Sequence, residues 1–395
     1  MTLKNIPKQV INLGFVSFFN DVASEMLYPV MPIFLTQVLG APVFVVGIIE
    51  GVAEGSASIF KTLFGYWSDK IGRRKIFVVG GYSASAIAKV IIAFAYSWPV
   101  VFLGRFTDRF GKGVRTGARD ALLLDASSDH NKQSFSSNKG LIFGFHRSMD
   151  SAGAVVGPMI GFLLLSNFNE NIRLILYVAA IPSFFALLFL IFIKDARQKI
   201  TATKTKLTLS LSGLPKQFKF FLLVLAIFTL GNSSDTFLIL RAKGLGLTLE
   251  LTILAYILYN LIYTLASTPA GQIADKIGAK KVFLVGLLIF AAVYFMFGFI
   301  DNKSFVWPLF AIYGFYIALT DGISKALVGS FIKPEVAGTA YGVMQTVISI
   351  FTLLASVIGG FLWTAISPSA TFLFGAGCAV LAFILFISQK KLATE

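Results

Sequence analysis

Asp21 and Glu25 stand four residues apart in an otherwise apolar stretch, and Glu50 and Glu54 repeat that spacing in the next one. At 100° per residue each pair shares a helix face, with Ser17, Ser24 and Tyr28 on the first face and Ser58 and Lys61 on the second. A carboxylate in apolar surroundings either keeps a cation beside it or binds a proton, and it can exchange that proton when its exposure changes. Asp21, Glu25 and Glu54 are therefore candidate proton couplers or substrate contacts. The alternative is a set of fixed salt bridges to Lys61 or to arginines farther along the chain.

Those arginines lie in a crowded run from Gly104 to Asp120, where Arg105, Asp108, Arg109, Lys112, Arg115, Thr116, Arg119 and Asp120 occupy one helix face. Such a face is expensive to turn toward lipid, so it points to a wet interior, with Asp108 and Lys112 spaced to compensate each other at i, i+4. Arg115, Arg119 and Asp120 read instead as interfacial charges near the helix end. His146 and Asp150 share a further face beside Arg147. A histidine that titrates near neutral pH can serve a proton relay, and a satisfied buried histidine is the equal alternative. The second half offers Asn232, Ser234, Asp235, Asn260, Asp321, Lys325 and Gln345. Its Tyr256, Tyr259, Tyr263, Tyr313 and Tyr316 read as an apolar wall of packing and interfacial residues.

Twelve apolar stretches of about 20 residues or more carry these groups, each long enough to cross a bilayer as a helix. The 395-residue chain is 56% hydrophobic and 13% charged, with a mean hydropathy of +0.80. Period-2 alternation is absent, which argues against a membrane barrel. The formal net charge of +15 suggests nucleic acid at first sight, but the Lys and Arg residues sit in alternate loops. Topology alone explains that pattern: both termini and the central basic linker are expected in the cytoplasm, and no nucleic-acid partner is expected. The expected organisation is a six-helix bundle over 1–194, a linker over 195–216 and a second six-helix bundle over 217–395. Cys378 is the single cysteine and His130 and His146 the two histidines, so no soft-metal cage and no cofactor are expected, although the carboxylates of the first two spans suit a hard cation.

The two halves repeat. After the second span the chain reads Gly65-Tyr66-Trp67-Ser68-Asp69-Lys70-Ile71-Gly72-Arg73-Arg74-Lys75, and after the eighth Gly271-Gln272-Ile273-Ala274-Asp275-Lys276-Ile277-Gly278-Ala279-Lys280-Lys281. Trp98-Pro99 and Trp307-Pro308 open the fourth and tenth spans, and Asn20 has a counterpart in Asn232. This pattern resembles the major facilitator superfamily, whose Gly-x-x-x-Asp-x-x-Gly-Arg-Arg-Lys loop the first copy matches throughout and the second matches except at Ala279. The resemblance implies an all-α membrane protein of twelve transmembrane helices in two bundles. It also implies a cytoplasmic gate at Gly65, Asp69, Gly72, Arg73, Arg74 and Asp275, with the Asp meeting a helix end and the cations meeting the facing half. In the fifth span Gly144, Gly153, Gly157-Pro158 and Gly161 are similar to the Gly-rich helix of drug and proton antiporters, with Phe162 in place of the final Gly. By that resemblance Gly153, Gly157, Pro158 and Gly161 form a hinge; close helix packing is the other reading. The charged fourth span and Thr320-Asp321-Gly322 with Lys325 are similar to a bacterial branch that includes nickel-exporter-like and multidrug-type members.

The expected function is secondary active transport by alternating access, as a proton-coupled exporter of a small drug-like solute, metal ion or metal chelate. The alternatives are an importer of a siderophore-like metal chelate or another nutrient, and a transport-incompetent receptor. No Gly-x-x-x-x-Gly-Lys-Ser/Thr loop and no His-Glu-x-x-His cluster occurs, which argues against an ATP-driven pump and against an enzyme. The expected cavity set is Asp21, Glu25, Tyr28, Glu54, Arg105, Asp108, Arg109, Lys112, His146, Asp150, Asp235, Asp321 and Lys325. The expected partners are a small molecule or ion, protons and the lipid bilayer. A monomer in a bacterial cytoplasmic (inner) membrane is expected.

Overall fold

The computed structural model describes residues 6–127, 139–168, 171–194, 214–332 and 337–389. Among them every regular element is helical. In chain order these are α1 (Lys8–Leu27), the short α2 (Met31–Ile33) leading into a π-helical turn (Phe34–Val38), α3 (Val43–Ile71), α4 (Arg74–Ala93), α5 (Trp98–Ser127), α6 (Lys139–Asn167) and α7 (Ile172–Leu190). The second half contributes α8 (Lys216–Gly231), α9 (Thr236–Gly244), α10 (Leu249–Ile277), α11 (Ala279–Phe299), α12 (Val306–Phe331), α13 (Ala337–Ala365) and α14 (Pro368–Ser388).

Ten stretches among the described residues are long and apolar enough to cross a bilayer. The first and fourth expected spans fall outside that set, because α1 carries Asp21 and Glu25 and α5 carries the charged run beginning at Arg105. Two expected spans are also broken. The first stops at Leu27 and resumes at Met31, across Pro29 and next to Pro32, neither of which has an amide N–H to donate to the helix ladder. The seventh stops at Gly231, where Asn232 leaves the helical region (φ −88°, ψ 76°), and resumes at Thr236.

The chain forms two compact units. Unit 1 comprises Met1–Leu39 and Ser56–Lys204; unit 2 comprises Gly40–Gly55 and Thr205–Glu395. Residues 40–55, the start of the second expected span, therefore pack in unit 2. There Gly47 lies against α13 so closely that an added Cβ would be 2.3 Å from the Ser356 carbonyl oxygen.

Small residues set the helix spacing inside unit 1 as well. At the α4–α5 crossing, a Cβ on Gly81 would stand 2.5 Å from the Gly111 carbonyl oxygen, and one on Gly111 would stand 2.4 Å from that of Gly81. The α1–α6 seam is built similarly: a Cβ on Gly153 would lie 2.8 Å from the Phe18 carbonyl oxygen, and one on Gly157 2.6 Å from that of Val22. Backbones that touch in this way leave no lipid between helices and maximise dispersion contact. Pro158 lies inside α6, and Gly161 makes only ordinary contact, 3.6 Å from the Met26 carbonyl oxygen to an added Cβ. Of the four expected hinge residues, Gly153 and Gly157 are thus in close backbone contact with α1. Beside these seams lies an apolar core that includes Val10, Leu13, Tyr82, Leu122 and Ile142.

Gly111→Ala is expected to destabilise the protein by roughly 1–3 kcal/mol, because a backbone carbonyl oxygen is a neighbour that cannot rotate away. Gly80→Ala, with open space around it, is expected to leave thermal unfolding in detergent unchanged or slightly raised. Equal melting temperatures for the two variants would refute the close α4–α5 crossing.

Candidate functional site

The charged face of α5 is neutralised largely by its neighbours in unit 1. Asp108 pairs with Lys89 of α4 at 2.5 Å, the two side chains being 7% and 1% exposed. This corrects the expected Asp108–Lys112 compensation: Lys112 is exposed, and the Gly81–Gly111 crossing brings Lys89 to Asp108 instead. Arg109 and Arg115 lie within electrostatic reach of the same carboxylate. Arg115 donates to Ser85 Oγ at 2.5 Å and stacks over the Tyr82 ring, 4.5 Å from its centroid. Arg119 joins Asp120 at 3.0 Å and Ser17 Oγ at 3.2 Å. Arg105 is buried, its guanidinium 5.8 Å from the centroid of the Tyr28 ring. Arg115 is buried and Arg119 half-buried, each bonded to groups inside the bundle.

A second cluster lies where α1 meets α6. His146 Nδ1 stands 3.5 Å from Asp150 Oδ2, and the Gly153 contact with Asp21 Cβ, 2.9 Å for an added Cβ, places Asp21 on the facing surface of α1. Asp21 accepts from Asn20 Nδ2 at 3.3 Å and interacts electrostatically with Asp150, Arg115, Lys112 and Arg119. His146 in turn feels Arg119, Asp120, Asp21 and Arg147. Two buried polar atoms here, His146 Nε2 and Asp150 Oδ1, have no hydrogen-bond partner. Buried polar atoms in folded proteins are nearly always bonded, so these two stand out beside the Nε atoms of Arg105 and Arg109, which also lack a hydrogen bond. Glu25 and Tyr28 are half-buried nearby on the same helix.

In unit 2 the break between α8 and α9 presents Asp235. Tyr313 donates to its Oδ1 at 2.6 Å and Tyr259 to its Oδ2 at 2.7 Å. Asn232 Nδ2 donates to Tyr316 at 2.9 Å. Three of the tyrosines read as an apolar wall, Tyr259, Tyr313 and Tyr316, are thus hydrogen-bond donors or acceptors around the helix break, a role set by their convergence in space and invisible in their spacing. Glu54, half-buried, lies within electrostatic reach of Asp235, and Glu50 is buried. Asp321 pairs with Lys325 at 3.1 Å on an exposed face and accepts from Tyr263 at 3.1 Å. Among the described residues no group of three or more His, Cys, Asp or Glu is arranged to hold a metal ion.

The repeated loops end their helices in the same manner. Gly72 and Gly278 both have positive φ, 68° and 97°, a region that side chains with a Cβ disfavour. Gly65 admits α5 to within 3.0 Å, measured from its Cα to an added Cβ on Gly117. Arg73 precedes α4 at its N-cap position without a side-chain bond to the helix end, and Arg74 bonds Asp125 and the Ala121 carbonyl oxygen at 2.9 Å, both on α5 of its own unit. The side chain of Asp69 lies outside the described residues. Asp275 lines a cavity of about 290 Å³ with Tyr263, Gly271 and Asp321.

The Major Facilitator Superfamily profile matches residues 13–256 and 220–393. The chain belongs to the major facilitator superfamily. It is 36% identical to an uncharacterized MFS-type transporter of Methanocaldococcus jannaschii, over 97% of this chain and 95% of that protein. It is 24% identical to the class E tetracycline resistance protein of Escherichia coli, over 94% and 92% of the two chains. Its fold matches the crystal structure of the nucleoside transporter NupG with a TM-score of 0.78, covering 98% of this chain and all of that one at 16% identity. This superfamily member is accordingly a multi-pass integral membrane transporter and not an enzyme.

The sequence reading of this facilitator overlooked Lys89. A lone Lys in the middle of the third span was the available signal, since a cation at that depth must find a carboxylate on a neighbouring helix. Lys89→Met leaves Asp108 as a buried charge without its partner and is expected to cost about 3–5 kcal/mol of stability. Lys89→Met combined with Asp108→Leu is expected to recover most of that loss in thermal unfolding, and additive losses would show that the pair is not coupled.

Proposed function

We propose that this transporter is a proton-coupled exporter of a small drug-like solute, working by alternating access in the cytoplasmic membrane with both termini in the cytoplasm. The observation that carries the reading is the cluster of Asp21, Asp150 and His146, in which Asp150 Oδ1 and His146 Nε2 are buried without hydrogen-bond partners. A proton bound there removes the repulsion between Asp21 and Asp150 and gives one of them a hydrogen to donate to its neighbours. It also changes by one unit the charge that balances Lys112, Arg115 and Arg119. A carrier couples two ligands when both bind its two conformations unequally, and a unit charge at this depth supplies such a difference. Asp108 does not take this part, because its carboxylate is fixed to Lys89.

An organic solute is favoured as cargo by the similarity to the class E tetracycline resistance protein. Asp235, with its two tyrosine donors at the helix break, is the carboxylate in unit 2 best placed to respond to cargo or to a second proton. The positive-inside distribution of Lys and Arg supports the cytoplasmic termini.

Everted vesicles carrying the protein are expected to accumulate tetracycline against its gradient and to lose it when an uncoupler collapses the proton gradient. Asp21→Asn and Asp150→Asn are expected to abolish gradient-driven accumulation while preserving exchange of labelled for unlabelled tetracycline. Wild-type accumulation that survives the uncoupler, or normal accumulation by both variants, would overturn the reading.

A further inference from the structure

The α6 and α13 helices are both 29 residues long. With their ends aligned, Gly144 falls on Gly342 and Gly161 on Gly359, so the two helices share a register inherited from the repeat. In that register Gly153 falls on Phe351 and Gly157 on Ala355. Gly153 and Gly157 are the residues that close α6 onto the backbone of α1 in unit 1. In unit 2 the corresponding seam joins α13 to α8, and a phenyl ring occupies the position where the first half has no side chain at all. The seam does not close. Beside Phe351 lies a cavity of about 360 Å³, whose walls include Leu222, Leu223 and Ala226 of α8 and Val343 and Val347 of α13. That volume is within the roughly 300–1,000 Å³ of ligand pockets. Thr346 also faces it, but its hydroxyl is turned back to the Gly342 carbonyl oxygen at 2.9 Å, leaving the methyl to the cavity.

Two features identify the occupant. Both walls belong to stretches long and apolar enough to cross a bilayer, Lys216–Gly244 and Ala340–Ala365, and a hydrocarbon chain matches them. Lys219 lines one end of the cavity, with Lys216 one turn earlier at the start of α8; both are exposed, and neither makes an ion pair among the described residues. No carboxylate among the described residues lines the cavity. We propose that the α8–α13 cleft binds one acyl chain of an anionic phospholipid, whose phosphate is held by Lys219 and Lys216. The site is separate from the proton cluster of unit 1, and the lipid assignment does not depend on which cargo is carried.

The test uses the full-length protein and native mass spectrometry with phosphatidylglycerol and phosphatidylcholine of the same chain length. Wild type is expected to retain one phosphatidylglycerol in preference to phosphatidylcholine. Lys219→Glu is expected to lower that retention by about fivefold or more, from the surface-charge contribution of a basic residue near a headgroup. Ala226→Trp is expected to abolish it by filling the cleft. Photo-crosslinking of wild type with phosphatidylglycerol carrying a diazirine in its acyl chain is expected to label α8 and α13, which keeps the proposal falsifiable if Ala226→Trp does not fold. Four results would overturn it: equal retention of the two lipids, retention unchanged in Lys219→Glu, labels on other helices, or displacement of the lipid by tetracycline. The last would assign the cleft to cargo.

Discussion

A charge in hydrocarbon has to be compensated by the protein itself, and unit 1 is organised around that requirement. The α5 helix carries more charge than a lipid-facing helix can tolerate, so its buried groups have to find partners within the protein. The Lys89–Asp108 pair is the firmest of these solutions, and it depends on the α4–α5 crossing that Gly81 and Gly111 allow. Once that pair is made, Arg115 is set against Ser85 and Tyr82, and Arg119 against Ser17 and Asp120. Asp150 Oδ1 and His146 Nε2, opposite Asp21, are among the buried atoms left without a hydrogen bond, as are the Nε atoms of Arg105 and Arg109. Structural neutralisation of α5 and the exchangeable proton proposed for unit 1 would follow from the same constraint.

The two halves began from one plan and have diverged at the seams and in the ionisable groups. In unit 1 the first helix lies backbone to backbone on α6; in unit 2 its counterpart α8 stands beside a cleft, and both helices then break. Unit 1 holds its carboxylates among cations, whereas Asp235 of unit 2 is held by tyrosine hydroxyls. An arrangement of neutral donors around one carboxylate can gain or lose a proton without disturbing a network of ion pairs.

Helix type, span number and the repeat were legible in the sequence because hydropathy and the two copies of the Gly-Asp-Gly loop are local patterns. The positive φ of Gly72 and Gly278 explains why both copies keep glycine there. The nature of the interior charges was legible too, since Asp21, Asp150 and His146 stand out in apolar surroundings. Their partners were not. Helical periodicity reports the face on which Asp108 lies, but only the crossing of α4 with α5 shows that Lys89 and not Lys112 reaches it. The tyrosines illustrate the same limit, because Tyr259 and Tyr313 are far apart in sequence and meet only at Asp235. The breaks at Leu27 and Gly231 interrupt spans that hydropathy reads as continuous.

The central claim is the proposal that Asp21 and Asp150 hold the proton coupled to transport, while Asp108 is tied to Lys89 and takes no part. Infrared difference spectroscopy of the purified protein between alkaline and acidic buffer reads this directly, without any knowledge of the cargo. The account predicts a protonated-carboxyl band that is lost or shifted in Asp21→Asn and in Asp150→Asn and is unchanged in Asp108→Asn. A band that persists in the first two variants and disappears in the third would contradict it.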